Sequence, residues 1–226
     1  MFSQPVGRVA EVLGEIDDPG MEIEIAVRKY EVPHRFSAET LAQAAKLPDK
    51  LRAADLKQRI DLRDVPLVTI DGEDARDFDD AVYCEPHASG RGKSARKGWR
   101  LLVAIADVSH YVKPGEPLDD DAFERATSVY FPRRVIPMLP EKLSNGLCSL
   151  NPEVDRLSMV CDMLVSESGE VTAYQFYAAV IRSHARLTYT EVAAALANSR
   201  GPEAARRADL MPQLLDLADV YRALLK

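Results

Sequence analysis

Cysteine is scarce in this chain: Cys84, Cys148 and Cys161 are widely spaced, and no CxxC pair occurs. That spacing excludes a disulfide framework and a thiolate zinc site, and it suits reduced thiols of a cytosolic protein. Long apolar runs are missing too; none approaches the roughly 20 residues of a membrane span. The opening segment Met1–Pro5 lacks the basic and apolar regions of a signal peptide. The sequence therefore predicts a cytoplasmic protein with no membrane partner. Bases are outnumbered, 29 Lys and Arg against 36 Asp and Glu, for a net charge of −7. Taken alone, this argues against a nucleic-acid partner, because phosphate binding draws on Lys and Arg. The deficit is local, however. Between Asp61 and Asp80 eight acids meet only Arg63 and Arg76, so a cation bound there would offset most of it.

What is present is concentrated in that stretch. Asp71, Asp77, Asp79 and Asp80 fall within ten residues, after the apolar run Leu67-Val-Thr-Ile70 and before Ala81-Val-Tyr83. Carboxylates held this close repel one another, and desolvation raises the cost. An acidic run is most often a solvated loop. Two features argue otherwise here: Phe78 is awkward in a purely solvated tip, and the β-branched run before Asp71 predicts anchorage to a buried sheet. With no His or Cys between Asp71 and Asp80, the oxygen-only donor set calls for a hard cation, Mg²⁺ or Mn²⁺. A calcium EF-hand loop is excluded. Counted from Asp71, its sixth position is Arg76 in place of Gly and its twelfth is Val82 in place of Glu.

Along the chain, Val6–Leu13 and Glu22–Val27 predict a strand pair around the breaker Asp17-Asp-Pro-Gly20. Residues 38–46 predict a helix capped by Ser37, and His87–Gly98 an exposed loop. Leu101–Ala106 predicts a buried strand, and Asp119–Thr127 a helix whose leading acids match its dipole. Three prolines between Tyr130 and Pro140 bar a long regular element. Residues 158–165 and 171–177 predict a hairpin. Thr188-x-x-Glu191 is a capping box opening an Ala-rich helix. Residues 213–226 carry apolar side chains at helical spacing, with no C-capping Gly or Asn after them. The unfinished strand pair and the uncapped final helix together predict a fragment of a longer protein.

The motif Thr69-Ile-Asp71-Gly-Glu-Asp-Ala-Arg-Asp77-Phe-Asp79-Asp80 resembles the signature of the ribonuclease II superfamily, in the variant of its ribonuclease R branch. Further segments match in order: Val103–Ser109, Thr127–Pro132, Val135–Pro140, Leu143–Pro152 and Ser183–Tyr189. The resemblance implies an α+β fold, a mixed or antiparallel sheet with flanking helices forming a partial RNB catalytic domain over 61–226. A linker with a helix (37–60) and a partial OB-type cold-shock β element (1–36) would precede it. It also implies a 3′-to-5′ exoribonuclease that processively releases nucleoside 5′-monophosphates, with Mg²⁺ (or Mn²⁺) as cofactor and the single-stranded 3′ end of RNA as partner. Carried over by position, Asp71, Asp77 and Asp80 are metal ligands. Asp79 organises the attacking water with support from Asp77, and Tyr130 stacks on a base near the RNA 3′ end. Ile136–Pro140 and Leu147–Leu150 resemble parts of an RNA channel wall. An arginine for the scissile phosphate and a second clamping aromatic have no counterpart before Lys226, so weak or absent turnover is expected of this chain by itself. The alternative is a non-catalytic RNA-binding fragment.

Overall fold

The computed structural model describes residues 7–89 and 96–226. Its centre is a seven-stranded mixed sheet with strand order β1-β8-β7-β4-β3-β2-β9. The strands are β1 (Ile60–Leu62), β2 (Val68–Asp71), β3 (Asp80–Ser89), β4 (Arg96–Ala106), β7 (Asp155–Ser166), β8 (Val171–Arg182) and β9 (Ala185–Thr188). β3, β4, β7 and β8 form an antiparallel meander. The short strands β1 and β9 add parallel to β8 and β2 respectively. β5 (Val129–Phe131) and β6 (Arg134–Ile136) form a separate hairpin inside the proline-punctuated segment. The α+β class implied by the resemblance is the class observed.

Helices lie on both faces. On one, α2 (Ala38–Lys46), α3 (Pro117–Arg125) and the helical segment Lys142–Leu147 enclose a core that includes Leu67, Leu102, Leu118, Leu143, Leu150, Leu157 and Ile181. On the other, α4 (Tyr189–Ala197), α5 (Pro202–Arg206) and α6 (Met211–Leu224) cover the β3-β2-β9 end around Val68, Leu187, Leu210 and Leu214. Ser37 caps α2, accepting from the Thr40 amide, and Thr188 and Glu191 form the capping box of α4, as their spacing predicts. Asp119 and Asp120 stand in the first turn of α3, where the helix dipole favours them.

Two expectations fail. The N-terminal strand pair does not form: residues 7–15 have no regular structure and are mostly exposed, while Glu22–Val27 lies inside α1 (Met21–Lys29). Val6 is outside the described residues. The alternation of Glu22-Ile-Glu-Ile25 fits a strand, but Ile23 and Val27 are also one helical turn apart. The helix buries both with Ile136 and leaves Ile25 exposed. The exposed loop expected over His87–Gly98 is also shorter, because β3 runs to Ser89 and β4 begins at Arg96. Its tip, 90–95, lies outside the described residues. Pairing with β3 carries β4 out to Arg96, and pairing with β7 reaches Gly98, where only glycine fits: a Cβ there would sit 2.1 Å from the Val165 carbonyl oxygen.

A buried ion pair locks the connection before β1 onto the sheet. Arg59 Nη2 donates to Asp107 Oδ2 at 2.5 Å, and Nη1 reaches the carbonyls of Ser158 and Ala179 at 3.4 Å. Burial opposes ionisation of Asp107, but the Ser109 hydroxyl and the Arg59 guanidinium outweigh it and lower its pKa. Removing the carboxylate leaves a guanidinium that is only 10% exposed without its partner. Asp107→Ala is expected to cost about 3–5 kcal/mol in urea unfolding, with the wild-type advantage fading as acid protonates Asp107.

Candidate active site

The acidic stretch bridges two neighbouring antiparallel strands. Asp71 is the last residue of β2 and Asp80 the first of β3, so both are fixed by the sheet, in register with Thr188 and Ile105 respectively. Asp77 and Asp79 are positioned by the residue between them. Phe78 is 3% exposed. Its N–H donates to Ser149 Oγ at 3.0 Å, and its carbonyl accepts from the Leu150 amide at 2.8 Å. The Asp79 carbonyl accepts from the Ala106 amide at 2.8 Å. With Phe78 drawn into the core, the flanking aspartates are left at the surface, and all four aspartates line one open cleft with Tyr130.

Tyr130 lies in β5, far from the acids in sequence. Its hydroxyl donates to both oxygens of Asp77, at 3.0 and 3.1 Å. Burial and then the Asp77 carboxylate push its pKa up to about 12, so it stays a donor at neutral pH. Asp79 is raised by partial desolvation and then by Asp77, Asp80 and Asp71; Asp80 is raised by desolvation and then by Asp71. The charges acting on these two carboxyls are carboxylates, and among the described residues no Lys or Arg lines their cleft.

A second groove shares Asp77, Asp79 and Tyr130 and continues past Thr127, Ser128, Met138, Leu139, Ser144 and Cys148. The structure thus brings part of the two wall segments singled out in the sequence to the aspartates. Met138, Leu139 and Cys148 line the groove, whereas Ile136, Leu147 and Leu150 are core. Burial raises the Cys148 thiol to about 12, making it an inert wall residue.

Residues that sequence reasoning missed hold the loop in place: Ser149 under Phe78 and Arg186 against the outer turn. Ser149 and Arg186 sit inside segments that carry the family resemblance, but no spacing rule links them to the acids.

The family pattern described as RNB domain matches residues 59–226. This chain belongs to the RNB domain family. A cold shock domain pattern matches residues 2–37, the stretch that contains α1. The chain is 54% identical to the ribonuclease R of Vibrio cholerae over 97% of its length and 53% identical to that of Escherichia coli over 98%. It spans 26% of each of those relatives. Among solved structures it resembles the Mycoplasma genitalium RNase R in complex with ribose-methylated single-stranded RNA, with a TM-score of 0.81 at 30% identity. That alignment covers 94% of this chain and 32% of the other.

The RNB aspartates form an all-oxygen donor set whose members repel one another, chemistry suited to a hard divalent cation. Among the described residues, no three such groups already stand at metal-holding spacing, so a cation held here would need the carboxylates to draw closer. Because the raised pKa values of Asp79 and Asp80 reflect unfavourable ionisation, they weaken the folded state as pH rises through them. Asp79→Asn is therefore expected to raise the melting temperature in EDTA at pH 7 by about 1–3 °C, a small figure because the group is substantially solvated. The difference should close as pH falls below the ordinary aspartate value of 3.8.

Proposed function

We propose that this chain is the metal- and 3′-end-binding portion of a ribonuclease R-type exoribonuclease, acting processively on single-stranded RNA to release nucleoside 5′-monophosphates. The observation that carries this reading is the convergence of four aspartates and Tyr130 on one cleft that continues into a largely apolar groove. The relatives' shared identity as ribonuclease R supports it. Mg²⁺, with Mn²⁺ able to replace it, would be held by Asp71, Asp77 and Asp80. When bound, such a cation activates water and neutralises charge on the phosphate and the leaving 3′-oxygen.

The protein groups divide the remaining work. Asp79 accepts a hydrogen bond from the attacking water and orients it in line with the scissile bond. Tyr130 offers a planar face to the base at the 3′ end, while its hydroxyl holds Asp77, so base placement and carboxylate placement share one side chain. The groove beyond Tyr130 leads the strand past Met138 and Leu139. Among the described residues no Lys or Arg lines the cleft, so none of them offers the developing phosphate charge a guanidinium or ammonium there. Missing preorganised charge of this kind commonly costs several kcal/mol, which supports slow turnover by this chain alone. Cytoplasmic action fits this reading.

A gel time course with 5′-labelled single-stranded RNA tests the proposal. The expected result in Mg²⁺ is a slow ladder shortening from the 3′ end, abolished by EDTA and by Asp79→Asn. RNA binding that survives both treatments, with no shortening, would assign the chain to non-catalytic binding. In the same assay Tyr130→Ala should weaken RNA binding by about 1–3 kcal/mol. Tyr130→Phe should keep the affinity, since it retains the ring.

A further inference from the structure

The acid loop has a third support besides the sheet and the Phe78 anchor, and it comes from the far side of the sequence. Arg186 lies in β9, opposite Thr69 of β2 and two positions before Thr188, the partner of Asp71. Its Nη2 donates to the Glu73 carbonyl at 3.0 Å and to the Ala75 carbonyl at 3.1 Å. Its guanidinium carbon also stands 4.6 Å from the centre of the Phe78 ring, within cation–π range. One side chain thus grips the loop between Asp71 and Asp79 at three residues. The Ala75 amide donates to the Gly72 carbonyl, closing the turn on the same side. Arg186 does not line the acidic cleft. It acts on backbone and ring, and it leaves the carboxylates to be neutralised from the cleft.

We propose that Arg186 is the positioning residue of the aspartate site: by clamping residues 73–78 it sets where Asp77 stands relative to Asp71 and Asp80, and hence the affinity for a divalent cation. This rests on the reading of the aspartates as a cation site. The planar fork matters because two carbonyls and an aromatic face are met by one delocalised group. An ammonium is a compact point charge and cannot reproduce that geometry.

The test uses the 226-residue chain with Arg186→Ala and Arg186→Lys variants, each melted in EDTA to establish folding. Backbone hydrogen exchange over residues 72–78 is measured in EDTA, and Mn²⁺ affinity is titrated by electron paramagnetic resonance. Arg186→Ala is expected to speed exchange in that stretch about tenfold, without a general increase elsewhere, and to weaken Mn²⁺ binding about tenfold or more, as loss of an outer support does at metal sites. Arg186→Lys should fall between Ala and wild type in both. A folded Arg186→Ala protein with wild-type exchange and Mn²⁺ affinity overturns the proposal. If Arg186→Ala does not fold, Arg186→Lys decides: wild-type behaviour in both readouts also overturns it. Failure of the wild-type chain to bind Mn²⁺ would sink the cation-site reading instead, and the exchange measurement would still settle whether Arg186 clamps the loop.

Discussion

Burial of Phe78 sets the geometry of the acidic cleft, because it converts a crowded acidic run into an ordered turn. Mutual repulsion would otherwise spread four carboxylates through solvent. An aromatic side chain in the core contributes a large apolar burial, and the two hydrogen bonds at its backbone, to Ser149 and Leu150, fix its orientation. The flanking aspartates are held at the surface as a consequence. The sheet does the rest, since Asp71 and Asp80 occupy the facing ends of adjacent strands. The protein thus accepts unfavourable electrostatics in the folded state at this cleft, a concentration of perturbed carboxyl groups typical of functional sites.

The parts around this turn are arranged to hold Tyr130 over it. The β5-β6 hairpin that carries Tyr130 packs on α1 through Ile136, Val129 and Phe131, and Glu24 of α1 pairs with Arg134. Arg125 at the end of α3 stacks on Phe36, with its guanidinium carbon 3.7 Å from the ring centre, and donates to the Pro137 carbonyl. The N-terminal segment therefore buttresses the hairpin that reaches the aspartates. The Arg59–Asp107 pair plays the matching role at the end of β4, next to the strand end that accepts Asp80.

One surface stands apart from this arrangement. Ile105, Met159, Tyr174 and Phe176 share the sheet face that α4–α6 cover only at its β3-β2-β9 end, and all four are exposed. The adjoining residues Val103, Cys161 and Met163 are only partly buried. Antiparallel sheets commonly leave one face toward solvent, but the side chains here are apolar where a solvated face would carry polar ones.

Much of the fold was legible because its signals are local. Ser37 and Thr188 announce helix starts through hydrogen bonds three residues long, and the β7-β8 hairpin joins two apolar-rich runs around a short polar turn. The aspartates were legible for the same reason: their crowding within one loop is itself the chemistry. Where two periods fit the same residues, as in Glu22–Val27, sequence could not choose. Burial against Ile136, more than a hundred residues away, decided for the helix. Strand ends past His87 likewise depended on the β3-β4 pairing, which continues to Ser89 and Arg96. Sequence by itself thus determined the donor set, the motif order and the capped helices. Tertiary structure decided that Tyr130 meets Asp77, and that Ser149 and Arg186 hold the loop between the strands. Those contacts join residues about 50 to 110 positions apart, as hydrogen-bond geometry requires only proximity in space, which chain spacing does not encode.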